Sequence, residues 1–273
     1  MSTGIDGYME FLVERDGEAD ALNRRLSNRE EYFANIESNP VRSTRQIDQD
    51  VFNANLKRRR PEPGLSPEML FLLATAKLNQ AERFGVNLGE AYGINSGKDQ
   101  PLERVYIELE EHYHTKLLAY VLEIFGLQFQ VSPPPFVMRQ FVKLGVFTPE
   151  RLGVAVVGAG EMAGCVMFDQ LRRVGIELFA DEPAVAARID SLYREILTDE
   201  IGHVGYCAAT CTSAERAIMR RLYPYLGRFF ARQTAEISQL VDREQLRALL
   251  DRPFDVDALS AGLPHRTFLA AHP

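Results

Sequence analysis

The chain has 273 residues, of which 46% are hydrophobic and 25% are charged. This composition is ordinary for a globular protein and excludes a disordered, collagenous or disulfide-scaffold chain. The formal net charge is −7, from 31 basic and 38 acidic residues. A broad surface for nucleic acid or for an anionic membrane is therefore not expected.

Helix start and stop signals divide the chain, and no segment shows the alternation of a β-strand. The first 65 residues are expected to form one or two helices outside the core. Four long helices follow, and most begin with a capping residue, a proline and an early acid. A fifth is capped by Thr212 and is expected to bend at Pro224. These five helices are predicted over residues 67–93, 101–126, 149–180, 183–209 and 213–241.

The chain is predicted to be one all-α domain over residues 1–273. Residues 1–65 form an N-terminal helical extension, 66–209 a four-helix core, and 210–273 the C-terminal helices and tail. The connection over 131–149 is long and is predicted to contain a short helix of its own. If the four helices form one bundle with a single crossover, this connection returns along the length of the bundle.

Three cysteines, Cys165, Cys207 and Cys211, lack the CxxC spacing of a zinc ribbon or iron–sulfur site. The N-terminus has neither the basic nor the apolar region of a signal peptide. The most apolar stretch, 153–168, is shorter than a membrane span and contains Glu161. We therefore expect a cytoplasmic protein with no membrane segment.

Two Glu-x-x-His motifs carry the functional signal, Glu111 with His114 and Glu200 with His203. Residues three apart share a helical face, so both side chains of a pair can bind one metal ion. Each pair lies on an otherwise apolar stripe of its predicted helix. A carboxylate and an imidazole are costly to bury there unless they are paired or bound to a metal.

The first and third long helices each supply one further carboxylate, Glu82 and Glu161. Facing residues of two antiparallel helices lie equally far from the loop that joins them. Glu82 and Glu111 lie nearly equally far from their loop, and the same holds for Glu161 and Glu200. The rival Glu90 would lie about 10 Å too close to the loop, at 1.5 Å per residue.

This pattern resembles the ferritin-like di-iron carboxylate superfamily, in which two helices supply one Glu each and two supply a Glu-x-x-His. The resemblance covers about residues 66–209 and implies a four-helix bundle with one long crossover. Oxygen ligands together with imidazole favour iron or manganese. The resemblance thus implies two iron ions, with a mixed manganese–iron pair left open because the ligands are the same. The matching positions are Glu82, Glu111, His114, Glu161, Glu200 and His203.

An acid precedes each motif, Glu110 and Asp199. One step along a helix turns about 100°, so each acid points toward a neighbouring helix. There it can accept a hydrogen bond from the opposite histidine, on the nitrogen that does not face the metal. The alternative interpretation is that both acids are simply exposed at the surface. This form is similar to that of O2-activating members: bacterial hydrocarbon monooxygenases, acyl-carrier-protein desaturases and the ribonucleotide reductase small subunit.

Four positions depart from those members. Tyr113 and Gly202 stand where soluble desaturases usually have arginine. Cys165 stands where several monooxygenases have threonine, and Ile196 where the arylamine N-oxygenases have an extra histidine. The reaction type therefore stays open among hydroxylation, N-oxygenation and desaturation.

Three residues are candidates for a pocket beside the metal ions, Gly164, Cys165 and Tyr193. Gly158, Gly160 and Gly164 either allow close helix packing or leave room for O2 and substrate. Tyr193 is either a redox tyrosine or a core tyrosine with a satisfied hydroxyl.

The resemblance implies an O2-dependent non-haem di-iron oxidoreductase with O2 as co-substrate, and Glu161 and Glu200 as its catalytic residues. Its substrate would be a small or carrier-bound organic molecule. No flavin or iron–sulfur motif is recognisable, so an external reductase or ferredoxin is expected, and a homodimer is left open. One iron would be held by Glu82, Glu111 and His114 and the other by Glu161, Glu200 and His203, with Glu111 and Glu200 as bridges.

Two alternatives remain at the level of sequence. The same site can serve a ferroxidase, a peroxide-reducing protein or a radical-generating subunit that oxidises no organic substrate. Or the protein is a metal-free helical scaffold whose carboxylates and histidines form structural ion pairs. Metal binding separates these readings, because an ion that binds the folded state raises its stability.

Overall fold

A computed structural model of the chain describes residues 21–96, 102–130, 136–137, 139–140, 150–255 and 258–259. Within these residues the protein is all-helical and contains no β-strand, which confirms the predicted class. Nine helices are described there. They are α1 (Ala21–Ser38), α2 (Gln49–Leu56), α3 (Pro67–Ser96), α4 (Leu102–Glu123), α5 (Glu150–Leu178), α6 (Pro183–Thr210), α7 (Ser213–Gln233), α8 (Ile237–Leu240) and α9 (Arg243–Asp251).

The four long helices α3 to α6 begin and end within three residues of their predicted bounds. Ser66 caps α3, because its hydroxyl accepts a hydrogen bond from the Met69 backbone N–H at 3.2 Å. Beyond the end of α4, Gly126 has φ +68°. Glycine adopts this left-handed conformation without steric cost, so it redirects the chain there.

The end of α7 differs from the prediction. Its start is confirmed, since Thr212 and Glu215 form a reciprocal capping box. However, α7 ends at Gln233 instead of continuing to 241, and the short α8 follows. The break brings Glu236 into the core, where its Oε1 lies 2.5 Å from Lys77 Nζ of α3. This buried ion pair joins residues far apart in sequence, so the local helical pattern did not indicate it.

The directions of α3 to α6 follow from their contacts. Three neighbouring pairs of helices are antiparallel. In each pair, contacts at higher residue numbers in the first helix involve lower residue numbers in the second. Because α4 and α5 are both antiparallel to α6, they run in the same direction. The end of α4 therefore lies far from the start of α5. The contacts are Asn79–Thr115 and Arg83–His112 (α3 with α4), Glu110–His203 and His114–Asp199 (α4 with α6), and Gly158–Cys207 and Arg172–Asp190 (α5 with α6).

Consecutive helices that run in the same direction need a connection that returns along them, as the predicted crossover does. The short helix predicted within 131–149 lies almost entirely outside the described residues. The bounds of the helices on either side, Leu102–Glu123 and Glu150–Leu178, are described.

Helix α5 is the most apolar part of the core. Its segment Leu152–Leu178 is long and apolar enough to cross a membrane, and an apolar window of 18 residues within it has a mean hydropathy of 1.5. The expectation that this stretch is too short to do so, based on 153–168, is therefore wrong. Yet 61% of the apolar window is buried inside the protein, where α5 packs against α6 and α7. This burial is consistent with the core helix of a soluble protein.

Helix α1 lies outside the four long helices and packs on α4 and α6. The Phe33 ring lies 5.4 Å from the Tyr113 ring of α4, centroid to centroid. The Tyr32 hydroxyl lies 2.8 Å from the Ser191 hydroxyl of α6. Helix α1 therefore contacts both of these helices.

The glycines of α5 have different surroundings. A Cβ added at Gly158 would lie 2.7 Å from Cys207 Cβ and 2.9 Å from Met219 Sδ. At Gly160 the nearest atom would be 3.9 Å away, on the ring of Phe230. Gly158 is therefore required for the close approach of α5 to α6 and α7, whereas Gly160 is not.

We predict that Gly158→Ala lowers the free energy of unfolding by about 1–3 kcal/mol, because the added methyl overpacks a rigid contact. Gly160→Ala is the matched control on the same helix. It should be neutral or stabilise by up to about 1 kcal/mol, since alanine favours the helix. Urea unfolding of both variants measures the difference, and equal stabilities would contradict the assignment.

Candidate metal centre

Four helices deliver six acidic and histidine side chains to one place, in two overlapping groups. In each group, every residue offers a ligand atom within 4.8 Å of the others. The two groups share Glu111 and Glu200. One consists of Glu82, Glu111, His114 and Glu200, and the other of Glu111, Glu161, Glu200 and His203. All six residues singled out in the sequence therefore lie together.

The six side chains differ in exposure. The His114 side chain is fully buried, and the Glu200 and His203 side chains are 2% exposed. The Glu82, Glu111 and Glu161 side chains are 17%, 20% and 21% exposed. Among the six side chains, partial exposure is thus confined to the three glutamates of α3, α4 and α5.

Each histidine is oriented by an acid on the facing helix. His203 Nε2 lies 2.9 Å from Glu110 Oε2, and His114 Nε2 lies 3.3 Å from Asp199 Oδ2. Both acids are buried, at 4% and 1% exposure. The expected contacts are therefore present, and the alternative of two surface acids is wrong. An acid that accepts the Nε2 proton leaves Nδ1 as the nitrogen available to a metal ion.

The two Nδ1 atoms point at the shared carboxylates. His114 Nδ1 lies 3.1 Å from Glu200 Oε1, and His203 Nδ1 lies 3.0 Å from Glu111 Oε1. Among the residues that the structure describes, neither Nδ1 has a partner in hydrogen-bonding geometry. A buried polar atom without such a partner is costly. A cation held between these nitrogen and oxygen atoms would satisfy both, so the donor set fits a metal ion.

The pKa values of the carboxyl groups diverge. Burial, reinforced by neighbouring carboxylates, raises the pKa of Glu82 and of Glu161 well above its ordinary value. Burial also opposes ionisation of Glu111. The neighbouring imidazoles of His114 and His203 outweigh that effect, and they hold the pKa of Glu111 well below its ordinary value.

The pKa values of the two histidines are shifted upward, which favours the protonated imidazole. Burial by itself lowers the pKa of an imidazole. In His114 this is outweighed by Asp199 and the ligand carboxylates, and in His203 by Glu110 and Glu111, so both pKa values are raised well above 6.5. In the metal-free protein, protons on these imidazoles balance part of the carboxylate charge.

These shifts predict how stability depends on pH when no metal is bound. Groups whose pKa is raised on folding stabilise the protein at low pH, and this stabilisation is lost as pH rises through their folded pKa values. The lowered pKa of Glu111 acts only below its ordinary value of 4.5. We therefore expect the unfolding free energy, with chelator present, to fall from about pH 5 to about pH 8.

The measurement is urea unfolding across that pH range. Glu161→Gln should flatten the profile, because it removes one of the raised carboxyl groups. Glu177→Gln, at an exposed position of the same helix, should keep the profile of the parent chain. Stability that rises with pH in the parent chain would contradict the assigned shifts.

The three residues predicted to line a pocket have different surroundings in the structure. A Cβ at Gly164 would lie 3.7 Å from Glu200 Oε2, so this glycine leaves space beside the carboxylate. Cys165 is buried, and burial together with the charges of Glu200 and Glu161 raises the pKa of its thiol. Tyr193 is fully buried, and its hydroxyl lies 2.8 Å from Thr75 Oγ1. These contacts favour the core-packing alternative for Tyr193.

One residue at the centre was missed in the sequence, Arg29 of α1. Its Nη2 donates to Asp199 Oδ2 at 2.6 Å. The available signal was local: Arg29 shares an α1 face with Phe33 and Ile36, which are 5% and 6% exposed. An arginine on an apolar face indicates a buried acid nearby, although it does not identify which one.

Comparison of the chain with models of known protein families, with curated proteins and with solved structures found no match. The interpretation of the centre therefore depends on its own residues. They form a buried glutamate and histidine cluster that could hold metal ions, within an all-helical fold.

Proposed function

We propose that the protein is an O2-dependent non-haem di-iron oxidoreductase built on a ferritin-like four-helix bundle. One observation carries the proposal: two potential ligand groups share Glu111 and Glu200. If two ions were held by these groups, Glu111 and Glu200 would be ligands available to both. The remaining ligands divide evenly, with Glu82 and His114 on one side and Glu161 and His203 on the other.

The donor atoms support iron or manganese. Both groups offer carboxylate oxygen and imidazole nitrogen, and neither includes a thiol. Hard oxygen ligands with imidazole suit these metals, whereas thiolate ligands select softer ones. Four ionised carboxylates would balance the formal charge of two divalent ions. Because iron and manganese accept the same ligands, the proposal covers an iron pair and a mixed pair.

The helix directions support the ferritin-like part of the proposal. Such bundles place one long connection between helices that run in the same direction. The parallel course of α4 and α5, each antiparallel to α6, has this form. Each of the four helices contributes one Glu or one Glu-x-x-His, in the order of the superfamily pattern.

A pair of reduced iron ions supplies the electrons by which O2 becomes an oxidant. The residues of the chain hold and shield that pair. Glu110 and Asp199 fix the two imidazoles through Nε2, and the buried side of α6 excludes water. The exposed fractions of Glu82 and Glu161 leave these two carboxylates room to change their contacts. Glu161 and Glu200 are the proposed catalytic residues, and Gly164 lies beside the Glu200 carboxylate.

Substrate and partners belong to the same proposal. The substrate is a small or carrier-bound organic molecule, which approaches through the space beside Gly164. Electrons come from an external reductase or ferredoxin, because the sequence has no recognisable flavin or iron–sulfur motif. A cytoplasmic location completes the proposal.

We predict that the metal-free protein binds two Fe(II) ions per chain in an anaerobic titration. With free Fe(II) at a hundred times the dissociation constant, binding stabilises the fold by about 2.7 kcal/mol per site. Glu161→Ala should weaken one site and abolish substrate-dependent O2 consumption. The control is Glu177→Ala, an exposed glutamate of the same helix, which should behave as the parent chain.

The outcomes separate the alternatives. If Fe(II) neither binds nor stabilises the fold, the cluster is a set of structural ion pairs and the proposal fails. Repeated iron oxidation without a co-substrate indicates a ferroxidase. Full O2-dependent activity in Glu161→Ala overturns the assignment of that residue. Reductant-coupled O2 uptake that requires an organic substrate supports the oxidoreductase.

A further inference from the structure

Helix α1 places a buried cation behind the candidate metal centre. Arg29 is 6% exposed, and its Nη1 also lies 3.4 Å from Glu195 Oε2. Its Nη2 donates to Oδ2 of the fully buried Asp199 side chain. The same Oδ2 atom faces His114 Nε2. A continuous chain of polar contacts therefore leads from the N-terminal helix to a candidate metal ligand.

The apolar face of α1 delivers this guanidinium. Phe33 and Ile36 follow Arg29 by one and two helical turns and are buried. The Phe33 ring packs on Tyr113, and the Arg29 guanidinium lies 5.7 Å from the centroid of the same Tyr113 ring. Docking of α1 thus holds Arg29 in one position relative to α4 and α6.

A buried ion pair by itself contributes little net stability, because desolvation offsets its attraction. What a guanidinium adds is geometry, since its planar donors fix the orientation of a carboxylate. Asp199 in turn determines which way the His114 ring faces. A small rotation of Asp199 would move the Nε2 contact and, with it, the direction of Nδ1.

We propose that Arg29 is a positioning residue of the metal centre. It holds Asp199 in the orientation that accepts the His114 Nε2 proton, and so directs Nδ1 at the metal ion on that side. The docking of α1 and metal binding beside His114 are then coupled, and linkage makes the coupling reciprocal. The inference rests on the proposed di-metal function, because it concerns how one of the two sites is built.

The test is an anaerobic Co(II) titration of the full chain, followed by visible absorbance and by the metal-induced rise in Tm. The parent chain should bind two Co(II). Arg29→Met should keep one site and weaken the other by about tenfold or more, the usual effect of losing a residue that orients a ligand. Arg29→Lys should recover part of the loss and part of the parent absorption spectrum.

Two further variants separate positioning from general destabilisation. Asp199→Asn with Arg29→Met leaves no unpaired buried charge, so this double variant is expected to fold. If Arg29 acts through Asp199, the double variant binds Co(II) no more weakly than Asp199→Asn alone. Glu37→Gln is the control on α1, because Glu37 contacts Tyr120 and Lys116 of α4 and is 57% exposed. Its Co(II) binding should match that of the parent chain.

The possible failures are distinguishable. If the parent chain binds no Co(II), the proposed function fails before Arg29 is tested. If the parent binds two ions and Arg29→Met binds them with unchanged affinity and spectrum, the inference is overturned. It is also overturned if Arg29→Met further weakens Co(II) binding in the Asp199→Asn background, or if Glu37→Gln weakens binding as much as Arg29→Met does.

Discussion

Burial of charge where four helices meet is the constraint on which the rest of the structure depends. Six carboxylates and two imidazoles lie there, on α3, α4, α5 and α6. An isolated buried charge is very costly, so each group needs a partner of opposite charge, a hydrogen bond or an ion. One helical turn of sliding, about 5.4 Å, would separate these groups. The register of the four helices and the polar cluster therefore determine each other.

The cluster is organised in layers. Innermost are the carboxylates and Nδ1 atoms that face one another. Behind them Glu110 and Asp199 hold the two rings through Nε2, and Arg29 holds Asp199 from outside the four helices. Each layer restricts the next, so the atoms that could bind a metal ion are already oriented. Such preorganisation favours ligand binding, because no binding free energy is then spent on ordering the ligand side chains.

The apolar surroundings support this arrangement. Close packing at Gly158 draws α5 against α6 and α7, while Gly164, almost two turns later, leaves room beside Glu200. The two glycines therefore differ in how closely their neighbours approach. On another side of the core, the Lys77–Glu236 pair attaches the C-terminal segment to α3. The helices outside the bundle are therefore tied to it by buried charges as well as by apolar contacts.

The sequence by itself determined the features that depend on local chemistry. Ser66 and Pro67 mark the start of α3, and Pro183 marks the start of α6. The spacing of Glu-x-x-His places both residues on one face, and equal distances from a loop place Glu82 opposite Glu111. Tertiary structure decided the rest: Arg29 behind Asp199, the early end of α7, and the interior position of the span-length α5. These features depend on contacts between residues far apart in the chain. Such contacts form only when whole helices pack, so local periodicity and capping signals do not identify the partners.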